Sequence, residues 1–384
     1  MKYGVIMHKE TANMGDDIQT YAAAKLLPSV DYIIDREHID TFRTENEEAV
    51  SVVMSGWWFW QKWNWPPAKC INPLLLSIHL NNYTIYNRGT PIKDKWLEGI
   101  GGEYLKKYGP VGVRDKSSLT FFEEHDIDTY FSGCITLTLP KQKKTEDAGE
   151  YVVIADLNEK LKKKAYEYLE GTNLKVVEVS HRCKYRGSDA TFEERMKAAE
   201  DLLTLYQNAR CVITRRLHVS LPCLAMEVPV ISIVDLKEVG NITRWEPYHE
   251  WLHYVSNEDF FEHNFEYDFV NPPKNKEDYK KTRQALIDSV NAFVKESSSS
   301  DKTAEELYRL DYTDQEIKDW QYDLMKWTLE EWLHSNRGMM KRYNDSKSKV
   351  ESLKKDVANY KKQLADNRWT VRNFAKKVVK KLKK

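Results

Sequence analysis

The stretch Asn208–Ile231, NARCVITRRLHVSLPCLAMEVPVI, runs from a short apolar strand into an apolar helix and on to a second strand. Cys211–Thr214 has the length of a buried strand, Val219–Met226 the apolar density of a buried helical segment, and Val230–Ile233 returns to strand. A strand–helix–strand unit of this kind belongs to a parallel sheet covered on both faces. Ligands of such sheets bind beyond the carboxyl ends of the strands, where free N–H groups at a helix start favour anions. Arg215, Arg216 and His218 stand at that junction. Two guanidinium forks suit a phosphate or carboxylate, and an imidazole can move a proton near neutral pH. The plainer reading is a solvated Arg pair beside a His that caps the turn.

The alternation recurs on either side. Up to about residue 140, strand-like runs fall at Tyr3–Met7, Val30–Ile34, Val50–Met54, Leu74–Leu80, Val111–Val113 and Tyr130–Phe131. Helices are expected at Ile18–Leu27 and at Lys116–Glu124, the second with Asp115 as its N-cap. After the polar stretch Lys141–Glu150 the pattern restarts, with strands at Tyr151–Ala155 and Lys175–Val179 and helices at Glu159–Leu169 and Thr191–Asn208. We therefore expect α/β architecture: two Rossmann-like domains, 1–140 and 150–294, facing a cleft of the kind that ligand sites favour. The sequence KESSSSDK from Lys295 reads as a flexible linker. Residues 304–384 contain no Pro and a single Gly, and read as a helical extension. Within it Val350, Leu353, Val357, Tyr360 and Leu364 recur at three and four, the pattern of an amphipathic or coiled-coil helix through which copies of the chain could associate.

Composition narrows the class. Hydrophobic residues make up 41% and charged residues 31% of the 384, as in a soluble protein with very polar segments. No apolar run is long enough to span a bilayer, and MKYGVIMHKE enters a strand at once, so a cleaved signal peptide is not expected. The five cysteines, Cys70, Cys134, Cys183, Cys211 and Cys223, show no C-x-x-C pairing and read as reduced thiols of a cytoplasmic protein. Equal totals of 59 basic and 59 acidic residues conceal an asymmetry. Arg368–Lys384 carries eight Lys and Arg and no acid, which leaves 51 basic against 59 acidic residues, a net of −8, in the rest of the chain. If that tail is helical, Val371, Phe374, Ala375, Val378, Val379 and Leu382 share one face while the basic residues lie largely on the other. Such a helix suits an anionic membrane surface. Nucleic acid is not the expected partner, because aromatic interleaving is thin, and a solvated tail is the plainer reading.

Further candidates lie at other strand ends. The loop after the first strand holds Asn13, Gly15, Asp16 and Gln19, a small residue for close backbone approach among groups able to bind hydroxyls. Arg114 follows Val111–Val113, where it could hold a second anionic group, and His79 lies at the end of the fourth run. Lys237 follows Val230–Ile233 and could serve as a point charge for phosphate or be a surface lysine. The aromatic run Trp57, Trp58, Phe59, Trp60, Trp63 and Trp65 could stack on sugars, meet a membrane interface or pack a core. No His and Cys cluster has zinc spacing, and neither a G-x-x-x-x-G-K-[ST] loop nor G-x-G-x-x-G after a strand occurs, so no metal is expected.

The order of N-x-G-D-x-I-Q at Asn13–Gln19, V-R-D at Val113–Asp115, and R-L-H followed by V-P-V-I between Arg216 and Ile231 resembles the polysaccharide pyruvyl transferases. The resemblance covers about residues 1–290. It implies a two-domain fold like that of the B-type glycosyltransferases, and transfer of the pyruvyl carbons of phosphoenolpyruvate to a sugar as a ketal, with no further cofactor. It also implies donor binding at Arg216 and His218, and at Arg114. Ser55-Gly56-Trp57-Trp58 stands where many members have a glycine-rich turn, so the acceptor side departs from the pattern. On this reading Arg216, Arg114, Arg215 and Lys237 hold the donor's two anionic groups, His218 is the general acid, and Asp16 or His79 the base. The expected acceptor is a polyprenyl-linked oligosaccharide at the inner face of the cell membrane, in surface polysaccharide synthesis. A nucleotide-sugar glycosyltransferase of the same fold, or a non-catalytic membrane-associated scaffold for glycan enzymes, are the alternatives.

Overall fold

Strands of the computed structural model, which describes residues 1–45, 47–58, 64–80, 92–235, 237, 239–300 and 302–382, pair in parallel throughout. The first half supplies β1 (Lys2–Met7), β2 (Tyr32–Asp35), β3 (Val50–Val53), β4 (Gly56–Trp58), β5 (Ile71–Leu74), β6 (Ile78–Leu80), β7 (Val111–Val113) and β8 (Thr129–Phe131). They pair in the orders β2-β1-β3-β5 and β4-β6-β7-β8. Met54 and Ser55 alone separate β3 from β4, and Leu75–Ser77 separate β5 from β6. Across those breaks Met54 N donates to Leu74 O at 2.9 Å and Gly56 N to Ser77 O at 3.4 Å. The two sheets are thus one layer interrupted across its middle.

That interruption corrects the single strand expected over Leu74–Leu80. Ser77 has φ +58°, in the left-handed region, which a continuous strand does not allow. Its amide donates to Ser132 Oγ at 3.2 Å and its hydroxyl to Gly133 O at 2.6 Å, so side-chain and loop partners replace the ladder there.

The second sheet contains β9 (Tyr151–Ala155), β10 (Lys175–Val179), β11 (Cys211–Thr214), β12 (Val230–Val234) and β13 (His253–Ser256), in the order β10-β9-β11-β12-β13. Both sheets set their first strand between the second and third, which places a topological switch point beside β1 and another beside β9.

The helices are α1 (Met14–Leu26), α2 (Ile92–Leu97), α3 (Ile100–Tyr108), α4 (Lys116–Glu123), α5 (Glu159–Leu169), α6 (Phe192–Asn208), α7 (Leu217–Ala225), α8 (Val239–Trp245), α9 (Asn257–Glu262), α10 (Tyr279–Ser298), α11 (Ala304–Leu307) and α12 (Asp314–Leu382). Their starts follow local chemistry. Asp115 caps α4 by accepting from Ser118 N at 2.9 Å, and Thr191 with Glu194 forms a capping box on α6. Each such cap stabilises its helix by about 1 kcal/mol.

One apolar core runs through both halves. It joins Val5 of β1, Ile18 and Tyr21 of α1, Leu203 of α6, Val219 of α7 and Leu286 of α10. Two further clusters cover the outer faces, one of them taking in Trp58, Trp65, Trp96 and Tyr104 together with Leu310 and Leu324 from the start of the helical extension. The serine-rich stretch expected to be a linker is instead largely helical. α10 continues to Ser298, and buried Ser297 bonds Ser51 at 2.9 Å between hydroxyl oxygens, because small side chains let the helix end lie against β3. The described residues up to Met325 group into one compact unit, and α12 from Lys326 onward into another. Among the described residues no helix is long and apolar enough to cross a membrane. All five cysteines are buried and unpaired.

Candidate active site

Arg114 emerges from the carboxyl end of β7 and is 3% exposed. Its Nη1 donates to His218 Nε2 at 2.7 Å and to Gln19 Oε1, and Nη2 is buried without a partner. Tyr248 fixes the backbone below it by donating its hydroxyl to Arg114 O at 2.5 Å. Among the described residues no carboxylate lies within ion-pair distance of this guanidinium. A buried cation with one idle N–H group and no counter-charge is costly, and an arriving anion offsets that cost.

His218 lies in the first turn of α7 and is 4% exposed. A guanidinium has no acceptor, so the imidazole accepts at Nε2 and carries its proton at Nδ1. Burial, reinforced by the Arg114 charge, holds His218 well below the ordinary histidine value of 6.5, so it is neutral at pH 7. Gly15 makes the approach possible. A β-carbon at that position would lie 2.5 Å from His218 Nδ1, so only glycine lets the start of α1 lie against the ring. Asn13 caps α1 by accepting from Gly15 N at 3.1 Å. Asp16 accepts from Thr11 Oγ1 at 2.5 Å and from Gln19 Nε2 at 3.2 Å, and Gln19 in turn meets Arg114. Asn13, Gly15, Asp16, Gln19, Arg114 and His218 are therefore brought together by two helix starts and one strand end.

His79 lies within β6, and its Nδ1 is 2.6 Å from Asp115 Oδ2. Burial lowers the imidazole's proton affinity against the pull of that carboxylate. Burial also pushes the Asp115 carboxyl up, but His79 with the Ser117 and Ser118 hydrogen bonds outweighs it and holds the group below the usual carboxylate range. Trp57 meets His79 edge-on at 4.8 Å between centroids, and the Arg244 guanidinium lies over the Trp57 ring at 5.5 Å. Trp58 and Trp65 are core residues in edge contact at 5.5 Å, whereas Phe59, Trp60 and Trp63 lie outside the described residues.

The remaining cations of the R-R-L-H junction diverge. Arg216 is the N-terminal flank of α7, and its half-exposed side chain turns to Asp156, Nε to Oδ2 at 2.8 Å, beside the end of β9. Arg215 reaches Asp235 at 3.5 Å, and Lys237 is exposed in a 2.5 Å pair with Glu258. No hydrogen bond or ion pair among the described residues joins Arg215, Arg216 or Lys237 to Arg114 or His218.

Other buried polar groups were given no role by the sequence reading. His8 follows β1, and burial with the nearby Arg36 charge lowers its pKa to about 3. Gly56, at φ +141°, passes so close that a β-carbon would meet His8 Cε1 at 2.9 Å. His181 follows β10, bonds Tyr206 OH at 2.6 Å, and is lowered to about 4 by burial. Both obey the strand-end rule that picked out Arg114, so the signal was present. Asp17 and Arg195 form a fully buried ion pair at 3.0 Å, 178 residues apart, and no local pattern announces it.

The family described as polysaccharide pyruvyl transferase matches residues 13–235, more than half of the chain and all of the cluster around Arg114 and His218. No curated protein matches the sequence significantly. An uncharacterized protein of Klebsiella pneumoniae with a known crystal structure is similar over 66% of this chain and 92% of its own, at 11% identity and a TM-score of 0.36.

Proposed function

The chain belongs to the polysaccharide pyruvyl transferase family, and from that premise we propose that it transfers the pyruvyl group of phosphoenolpyruvate to a sugar of a lipid-linked oligosaccharide, closing a ketal and releasing phosphate. The observation that carries this reading is the buried Arg114, whose Nη2 has no hydrogen-bond partner and whose guanidinium has no carboxylate within ion-pair distance among the described residues. A donor bearing both a phosphate and a carboxylate supplies the missing charge.

The donor's charge also gives His218 its role. The ring is neutral and accepts from Arg114. An anion that draws the Arg114 N–H groups to itself frees Nε2 and raises the proton affinity of the imidazole. The ring then takes up a proton from solvent, and the resulting imidazolium passes a proton to the methylene carbon of the enol, so that positive charge develops on the carbon bearing the phosphate oxygen. A sugar hydroxyl bonds to that carbon and gives its proton to Asp16 or His79. His79 is oriented for this by Asp115, as a base held by a carboxylate. A second hydroxyl of the same sugar then displaces inorganic phosphate and gives its proton to the now neutral His218, leaving a methyl-bearing ketal. The Arg114 charge stabilises the phosphate as it departs. Arg216, Arg215 and Lys237 extend the donor side if their present partners release them.

In the same reading residues 1–140 form the acceptor side and 150–294 the donor side of a B-type glycosyltransferase-like pair. The basic tail holds the enzyme at the inner face of the membrane. Incubation with phosphoenolpyruvate and a panel of lipid-linked disaccharides, followed by mass spectrometry and phosphate assay, tests it. The expected result is one phosphate released per pyruvyl mass added. Turnover of a nucleotide sugar with no reaction of phosphoenolpyruvate would overturn it.

A further inference from the structure

From Lys326 the last helix belongs to a unit of its own, and a row of its described apolar residues is exposed. Met339, Tyr343, Val350, Leu353, Val357 and Tyr360 are each 46–67% exposed, and Leu329 upstream is 55% exposed. Their separations fit one heptad register, with Leu329, Tyr343, Val350 and Val357 at one seam position and Met339, Leu353 and Tyr360 at the other. In the sequence the same register runs on through Leu364, short of the basic tail. We propose that this stripe is the seam of a parallel two-stranded coiled coil between two copies of the chain.

The period excludes a flat partner. A seven-residue repeat drifts by about 20° per heptad around a straight helix. Over the four to five heptads from Leu329 to Tyr360 the stripe turns through roughly a right angle. It therefore rotates out of any plane, a membrane surface included. A second helix that supercoils left-handedly follows it all the way. The area suffices. Half-exposed seam side chains carry on the order of 100 Å² each, as an aromatic that buries 150–250 Å² does at half exposure. Seven from each chain give about 1,400 Å², a standard stable interface.

Seam chemistry selects two parallel strands and a second copy. Val350 and Val357 with Leu353 between them is the β-branched and Leu alternation that favours parallel dimers. Ser346, also on the seam and exposed, faces its own counterpart in a parallel in-register pair, so a polar layer meets a polar layer. The flanking positions make the assembly salt-sensitive. Arg342 faces the partner's Lys347 and Lys349 the partner's Lys354, which repel, while Asp356 faces the partner's Lys361, which attracts. Screening relieves the net repulsion, so added salt tightens this dimer, whereas it weakens attachment to anionic lipid. A parallel rod also brings both basic tails, eight Lys and Arg each, to the same end, where they engage a surface together.

Sedimentation of the full-length protein tests the proposal. The expected mass is twice 45.2 kDa, with a dissociation constant that falls several-fold from 50 to 300 mM salt. The variant Leu353→Glu, Val357→Glu becomes monomeric, and Lys355→Glu on the outer face stays dimeric. Ser346→Cys cross-links to its own counterpart under mild oxidation; the native cysteines are buried and do not compete. A wild-type monomer, a trimeric or tetrameric mass, or a dimer that Ser346→Cys fails to cross-link would overturn the proposal. So would a wild-type monomer that binds anionic vesicles through Leu353 and Val357, which assigns the stripe to lipid.

Discussion

Replacing Arg114 with methionine should separate function from stability in this fold. The substitution removes a buried charge that has no carboxylate partner among the described residues, along with its hydrogen bonds to His218 and Gln19. Losing those bonds costs about 1–3 kcal/mol in all. Relief of a buried charge returns several kcal/mol, so the variant's unfolding free energy should stay within about 2 kcal/mol of wild type. Anion binding should suffer far more. Removing the charged partner of a buried polar contact costs about 2–5 kcal/mol, which weakens binding by roughly thirty-fold to a few thousand-fold. The assay is thermal or urea unfolding with and without phosphoenolpyruvate. At a hundred times its dissociation constant the donor stabilises wild type by about 2.7 kcal/mol, and the same concentration should stabilise Arg114→Met by less than about 0.9 kcal/mol. A variant that loses more than about 4 kcal/mol of stability yet keeps the donor's stabilising effect would refute the reasoning. Arg114 would then be a structural cation.

Other outcomes follow from single contacts. Gly15→Ala inserts a methyl where 2.5 Å is available to His218, so turnover should fall at least tenfold while unfolding changes by about 1–3 kcal/mol; unchanged turnover would place His218 outside the chemistry. His8, His181 and His218 all have folded pKa values below 6.5, so their stabilising neutral form is fully present above 6.5 and is lost as pH falls towards the folded values. Each contributes a slope of up to about 1.4 kcal/mol per pH unit there, and urea unfolding that is flat from pH 7 to 5 would contradict their burial. Deleting Arg368–Lys384 should abolish binding to anionic liposomes, at roughly 1 kcal/mol per basic residue near the surface, and leave activity on a soluble acceptor intact. Equal liposome binding with and without the tail sinks that assignment.

Much of the second sheet was legible in the sequence. Tyr151–Ala155, Lys175–Val179 and Cys211–Thr214 match their expected bounds, because the covered strands Tyr151–Ala155 and Cys211–Thr214 read as apolar runs and the edge strand KVVEV keeps three valines. Capping chemistry is equally local, so Asp115 and Thr191 mark helix starts without reference to the rest of the chain. The first sheet was harder. There β5 carries a proline, INPL; at the edge of the second sheet β13, HYVS, was missed in the same way, since neither run is apolar enough to stand out and long-range pairing makes them strands.

Local pattern was enough to put Arg114 and His218 at a strand end and a helix start on the carboxyl edge of parallel sheets. Packing across the whole chain brings the two together at 2.7 Å across 104 residues, makes Gly15 the gap admitting the ring, and turns Arg216, two positions from His218, to Asp156 instead. Position along an element follows from local periodicity, which every residue carries in its neighbours. Partnership between side chains depends on which elements pack together, and that is set by the shared core of α1, α6 and α7 rather than by any stretch of the chain alone.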